Sequence, residues 1–132
     1  MRLHLSLPAT KLEESARFYE VLLGEAPTRS FAGYTHFLTS SVNLALTAAN
    51  EALDSSGGHY GLEVETAGEV SAAASRLARA GFATRSENET RCCHSLQTKV
   101  WAEDPDGRRW EVFQVLARDM MMPVPDDGSA CC

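Results

Sequence analysis

Two adjacent thiols, Cys92 and Cys93, stand in a polar loop ahead of a strand, turn, strand pattern, and its second arm carries an acid, Glu111, among apolar neighbours. Neighbouring cysteines offer two soft thiolates to one thiophilic atom, and a disulfide between them would close a small ring of poor geometry, so the pair is expected to persist as a dithiol. In Trp110-Glu111-Val112-Phe113 the period of two puts Glu111 opposite Trp110 and Val112. A carboxylate there is either a solvated residue of a half-exposed sheet or a ligand in a cup. Two histidines sit in similar patterns. His4 and Ser6 alternate with Leu3, Leu5 and Leu7, and His59, Gly61 and Glu63 alternate with Tyr60, Leu62 and Val64. A lone histidine is usually a surface or satisfied core residue. Two at equivalent places, with a carboxylate on a third strand, compose the 2-His-1-carboxylate set diagnostic of non-haem Fe(II) oxygenases, which leaves about three positions of an octahedral shell open.

The elements that must position these groups come as a repeat. Arg2 to Leu7 reads as a strand; Thr10 with Glu13 forms a capping box; Leu12, Ala16, Tyr19 and Leu23 recur at helical spacing until Gly24. Short strands are expected at Pro27–Phe31, Tyr34–Thr39 and Val42–Thr47. Residues 49–57 read as a linker ending in serines and glycine, after which the pattern restarts: a strand over His59–Glu65, a capping box at Thr66 and Glu69, a helical stripe through Val70, Ala73, Leu77 and Ala78, and a stop at Gly81. A strand over Phe82–Glu87 follows, then a hairpin with arms Lys99–Glu103 and Arg108–Leu116 around the turn Asp104-Pro105-Asp106-Gly107. His4 to Ser30 spans 26 positions and His59 to Ser86 spans 27, and both segments end in Thr-Arg-Ser. The expectation is therefore an α+β fold: two βαβββ modules in tandem, residues 1–48 and 58–116, forming one domain over 1–116 with a curved mixed sheet as a cup and helices outside. The slot symmetric to Glu111 falls on Asn43, or on Ala45 if the register slips by two. Residues 117–132, with Met120 to Met122 and a second dithiol Cys131-Cys132, read as a flexible tail.

Composition narrows the function. The chain has 132 residues and a net charge of -6, which disfavours nucleic acid and anionic membrane surfaces as partners and leaves small molecules. No secretory signal and no membrane-length apolar run is apparent, so a cytoplasmic setting is expected, where paired thiols stay reduced.

His4 in the first strand, FYEVLLG, HYGLEVE with His59, Cys92-Cys93, KVWAEDPDG and WEVF with Glu111 together resemble the vicinal oxygen chelate superfamily, which includes glyoxalase I, bleomycin-resistance and extradiol dioxygenase proteins. More narrowly they resemble its carbon-arsenic lyase branch, which overlaps proteins described as cadmium-induced. The resemblance covers residues 1 to about 116. It implies Fe(II) held by His4, His59 and Glu111, a trivalent organoarsenical captured by Cys92 and Cys93, and dioxygen-dependent cleavage of the carbon-arsenic bond. Lys99 either faces the cup beside the substrate or is a solvated strand lysine; Arg91 beside the thiols would favour thiolates; His94 is a base or an incidental loop residue. Two other functions share parts of the pattern: a thiol protein that sequesters arsenic or cadmium without turnover, and a glyoxalase-like metal-dependent isomerase or lyase. Superfamily members are often homodimers, some with sites shared between chains; with both modules in one chain, a site within the chain is the expectation.

Overall fold

The computed structural model describes residues 2–52, 58–92 and 95–118. Its element order is twice βαβββ: β1 (Leu3–Ala9), α1 (Leu12–Leu23), β2 (Arg29–Phe31), β3 (Tyr34–Leu38) and β4 (Val42–Ala48), then β5 (Tyr60–Glu63), α2 (Ala67–Arg79), β6 (Thr84–Cys92), β7 (Ser95–Glu103) and β8 (Arg109–Ala117). The first module forms a four-stranded sheet of order β1-β4-β3-β2 and the second a sheet of order β5-β8-β7-β6. In each, the first strand runs parallel to the last and the remaining pairs are antiparallel. The expected single sheet is thus two hydrogen-bonded halves among the described residues, with β1 and β5 at their edges.

One core fastens the halves together. Phe18 and Tyr19 of α1, both fully buried, pack edge-on against each other at 5.1 Å; Phe18 also meets Phe82 at 5.2 Å and Tyr19 meets Trp110 of β8 at 5.5 Å. Burying each such side chain contributes roughly 1.5–3 kcal/mol. The alternation that turns Glu111 to one face therefore sends Trp110 and Val112 into this core.

The helix ends show where local signals give way to tertiary ones. Thr66 and Glu69 form the expected capping box on α2, the Thr66 hydroxyl accepting from the Glu69 N–H at 3.2 Å and the Glu69 carboxylate accepting from the Thr66 N–H at 2.9 Å. The capping box expected at Thr10 is not made. Lys11 is the N-cap of α1, without a side-chain cap, because Thr10 donates its N–H (3.0 Å) and its hydroxyl to Asp106 in the β7–β8 turn. That turn is a lock between modules. Asp104 accepts from the Tyr19 hydroxyl at 2.6 Å and from Arg108 Nη1 at 2.9 Å, while Arg108 Nη2 donates to the Pro8 carbonyl. Gly107 closes it at φ +84°, the left-handed region glycine enters without penalty.

Candidate active site

Three side chains of the second sheet converge. Glu111 lies 6% exposed on β8, its Oε2 accepting from Lys99 Nζ at 2.7 Å, and its Oε1 stands 3.5 Å from His59 Nε2. Lys99, 1% exposed, lies over the Trp101 and Phe113 rings at 5.3 and 5.7 Å, so a buried ion pair and not a solvated lysine occupies this position. Trp101 in turn meets the His59 imidazole edge-on at 5.1 Å and fixes its place.

The sheet register explains the spacing. Arg85, Trp101, Glu111 and Gly61 are successive partners across β6, β7, β8 and β5, and form one row on the face opposite the helices. Gly61 is needed in that row. A Cβ there would stand 2.9 Å from Phe113 and 3.1–3.2 Å from the Glu111 side chain, so only glycine leaves room for the carboxylate.

His4 is placed apart from this group. It is exposed on the edge strand β1, its Nδ1 bonded to the Asn43 carbonyl at 2.9 Å. Among the described residues, which include all three expected ligands, no three His, Cys, Asp or Glu side chains assemble as a metal site. The first sheet supplies no substitute for Glu111. Ser6 pairs with Ala45 as Gly61 pairs with Glu111, so with His4 aligned on His59 the symmetric slot is Ala45. Asn43 instead orients His4 through its backbone carbonyl, and its side-chain Oδ1 accepts from His36 Nε2 at 2.7 Å.

The donor chemistry suits a divalent first-row ion. The carbonyl at His4 Nδ1 selects the tautomer with that nitrogen protonated, which leaves Nε2 as the ligating atom, the usual outer-shell arrangement of metal-binding histidines. Lys99 holds one oxygen of Glu111, and the other faces His59 at a separation longer than an ordinary hydrogen bond. Imidazole and carboxylate together accommodate iron, zinc or nickel.

The thiol pair differs from its expected setting. Strand β6 continues to Cys92, whose backbone partner is Ser95 at the start of β7, so Cys92 ends a strand at the tip of the β6–β7 hairpin and does not stand in a loop ahead of it. Cys93 and His94 lie outside the described residues, as do 119–132 with Met120 to Met122 and Cys131-Cys132. Ser95 to Lys99 is four residues, about 13 Å of strand.

Residues 2–112 match the Glyoxalase/Bleomycin resistance protein/Dioxygenase superfamily. The chain belongs to that superfamily. Among its relatives, the "Trivalent organoarsenical cleaving enzyme" of Thermomonospora curvata is 38% identical over 133 residues, covering 99% of this chain and 87% of the relative. The like-named enzyme of Bacillus sp. is 40% identical, covering 83% and 70%. The "Cadmium-induced protein CadI" of Mycobacterium tuberculosis is 37% identical, covering 88% and 77%. The superfamily fold is also that of a glyoxalase/bleomycin resistance protein/dioxygenase from Alicyclobacillus acidocaldarius, with TM-score 0.71 at 16% identity, covering 92% of this chain and 96% of that one. Gly61 and Trp101 adjoin this candidate site, and sequence reading passed them over. Gly61 follows His59 by two on the same face, and Trp101 follows Lys99 by two, so face parity was the signal available for both.

Proposed function

We propose that the chain cleaves the carbon-arsenic bond of trivalent organoarsenicals, methylarsenite and aromatic arsenicals, in a reaction that needs Fe(II) and dioxygen. The observation that carries this reading is the vicinal dithiol Cys92-Cys93, whose Cys92 ends a strand of the sheet that carries Glu111 and Lys99, in a chain whose 34–40% identical relatives carry the name of organoarsenical cleaving enzymes. A sequestering protein has no use for the cluster, and a glyoxalase-like isomerase has none for the dithiol.

In this reading His59 and Glu111 of one chain would hold the ion with His4, and because the three do not assemble within the chain, His4 would come from a second copy. Strand β1 is an edge strand with Leu3 63% exposed, which leaves it open to such a copy. Fe(II), when bound there, would supply activation of dioxygen. Cys92 and Cys93 bind the trivalent arsenic as thiolates and orient its carbon toward the cluster; Lys99 fixes the Glu111 carboxylate; Trp101 and Phe113 exclude water around that pair. For methylarsenite the balance is one CH3As(OH)2 and one O2 giving one As(OH)3 and one formaldehyde: the carbon-arsenic bond breaks, carbon is oxidised, and dioxygen is reduced.

The two halves of the site are separable. Cys92→Ser and Cys93→Ser are expected to abolish binding of methylarsenite in equilibrium dialysis while retaining stoichiometric Fe(II), since a hydroxyl is a hard and barely ionised replacement for thiolate. Glu111→Ala is expected to show the reverse. Loss of iron in both cysteine variants would place the thiols in the metal site and overturn the separate-clamp reading.

A further inference from the structure

Beside the cluster lies a cavity of about 290 Å³ whose floor is Trp101 and whose walls include Arg85 on β6 and Arg109 on β8. Both guanidinium carbons stand 5.9 Å from the indole ring, and Lys99 lies 5.3 Å from it. Three cations thus surround one aromatic ring in a chain of net charge -6. Glu103 is the acid on the rim. The guanidinium groups keep donors to spare. Arg85 Nη1 meets Glu87 at 3.0 Å and Arg109 Nη2 donates to the Gly58 carbonyl at 3.5 Å, out of five N–H groups on each. Trp101 itself is 8% exposed, so the two guanidinium groups and not the indole N–H supply the donors that a ligand can reach.

We propose that Arg85, Trp101 and Arg109 form a subsite for a planar anionic group, which on the substrate is an acidic substituent of an aryl ring. The inference rests on the proposed function for the identity of that substrate, and on the cavity alone for the subsite. A flat π system packs against the part of the indole that the cavity leaves open while its acidic group takes charge-assisted hydrogen bonds from the two forks, which suit carboxylate geometry better than a point charge does. Trp101 is the neighbour of Glu111 across the sheet, so a ring seated here adjoins the cluster. Selectivity follows: aryl arsenicals with an acidic ring substituent bind more tightly than unsubstituted phenyl ones.

The test uses an arsenic-free probe, 4-nitrobenzoate, on the full chain. The two tryptophans give two indole N–H resonances in a proton-nitrogen correlation spectrum, assigned with Trp101→Phe, and Trp110 is an internal reference because its indole N–H donates to Tyr19 at 3.0 Å in the core. The Trp101 resonance is expected to shift saturably at millimolar 4-nitrobenzoate, far less with neutral nitrobenzene, and Arg85→Gln and Arg109→Gln are each expected to weaken binding by about tenfold. In a parallel titration, 4-carboxyphenylarsenous acid is expected to bind about tenfold more tightly than phenylarsenous acid, and the double variant to bind the two alike. An unmoved Trp101 resonance, equal binding of nitrobenzene, or unchanged affinity in both arginine variants overturns the subsite. Because the probe contains no arsenic, a chain that binds it but releases no arsenite refutes the proposed reaction and leaves the subsite standing.

Discussion

Glu111 shows how much of a site depends on residues that do no chemistry. Its carboxylate is held by Lys99, faced by His59 and admitted only because position 61 has no side chain. Gly61→Ala is therefore expected to push Glu111 or Phe113 aside, and to lower Fe(II) affinity by about 10–100-fold, the usual cost of disturbing a ligand's surroundings. The circular dichroism spectrum should stay native, since Gly61 lies on the exposed face of an edge strand. Iron content equal to wild type in Gly61→Ala would show that the carboxylate tolerates a side chain at position 61.

At the scale of elements, the unit that joins the modules is Tyr19 of α1 with the β7–β8 turn. Burial, and then the charge of Asp104, raises the Tyr19 phenol well above its ordinary value of 10.0. A phenol whose pKa is higher folded than unfolded keeps its full contribution below about pH 10, and stability falls above that as the unfolded chain releases its proton first, by up to about 1.4 kcal/mol per pH unit. Tyr19→Phe is expected to lose about 1–3 kcal/mol at pH 8, where the contacts to Asp104 and Trp110 are broken, and to decline less steeply than wild type between pH 10 and 11 in thermal melts. Parallel declines would remove Tyr19 from the alkaline transition. This lock also marks what could be read in the chain. The duplicated βαβββ order, the stop at Gly24 and the Asp104 to Gly107 turn were legible because each is a local pattern of period, cap or turn residue. Thr10 was misread because its sequence is a sound capping box, and only the fold brings Asp106 within reach to take both its donors. The end of β6 was misread because its polar residues have no apolar alternation, and their strand form comes from pairing with β7. Of the candidate site, face parity announced Glu111 opposite Trp110, but whether His4 joins it depends on how two sheets meet, which no local pattern encodes.

For the whole molecule, two sheets share one core and leave β1 and β5 as edges, and among the described residues no helix is long and apolar enough to cross a membrane. If His4 of one copy completes the site of another, co-refolding His4→Ala with Glu111→Ala regenerates one intact site in each mixed dimer, so iron binding is expected to return in the mixture although neither variant binds alone. A site confined to one chain gives no such rescue. The central claim is that carbon-arsenic cleavage consumes dioxygen at an Fe(II) centre served by the dithiol. The direct measurement is arsenite and formaldehyde released from methylarsenite after anaerobic loading with Fe(II), with and without admitted oxygen. Arsenite and formaldehyde in equal amounts, only when oxygen is admitted and only with iron, is the predicted result; arsenite released equally without oxygen, or none under either condition, would contradict it.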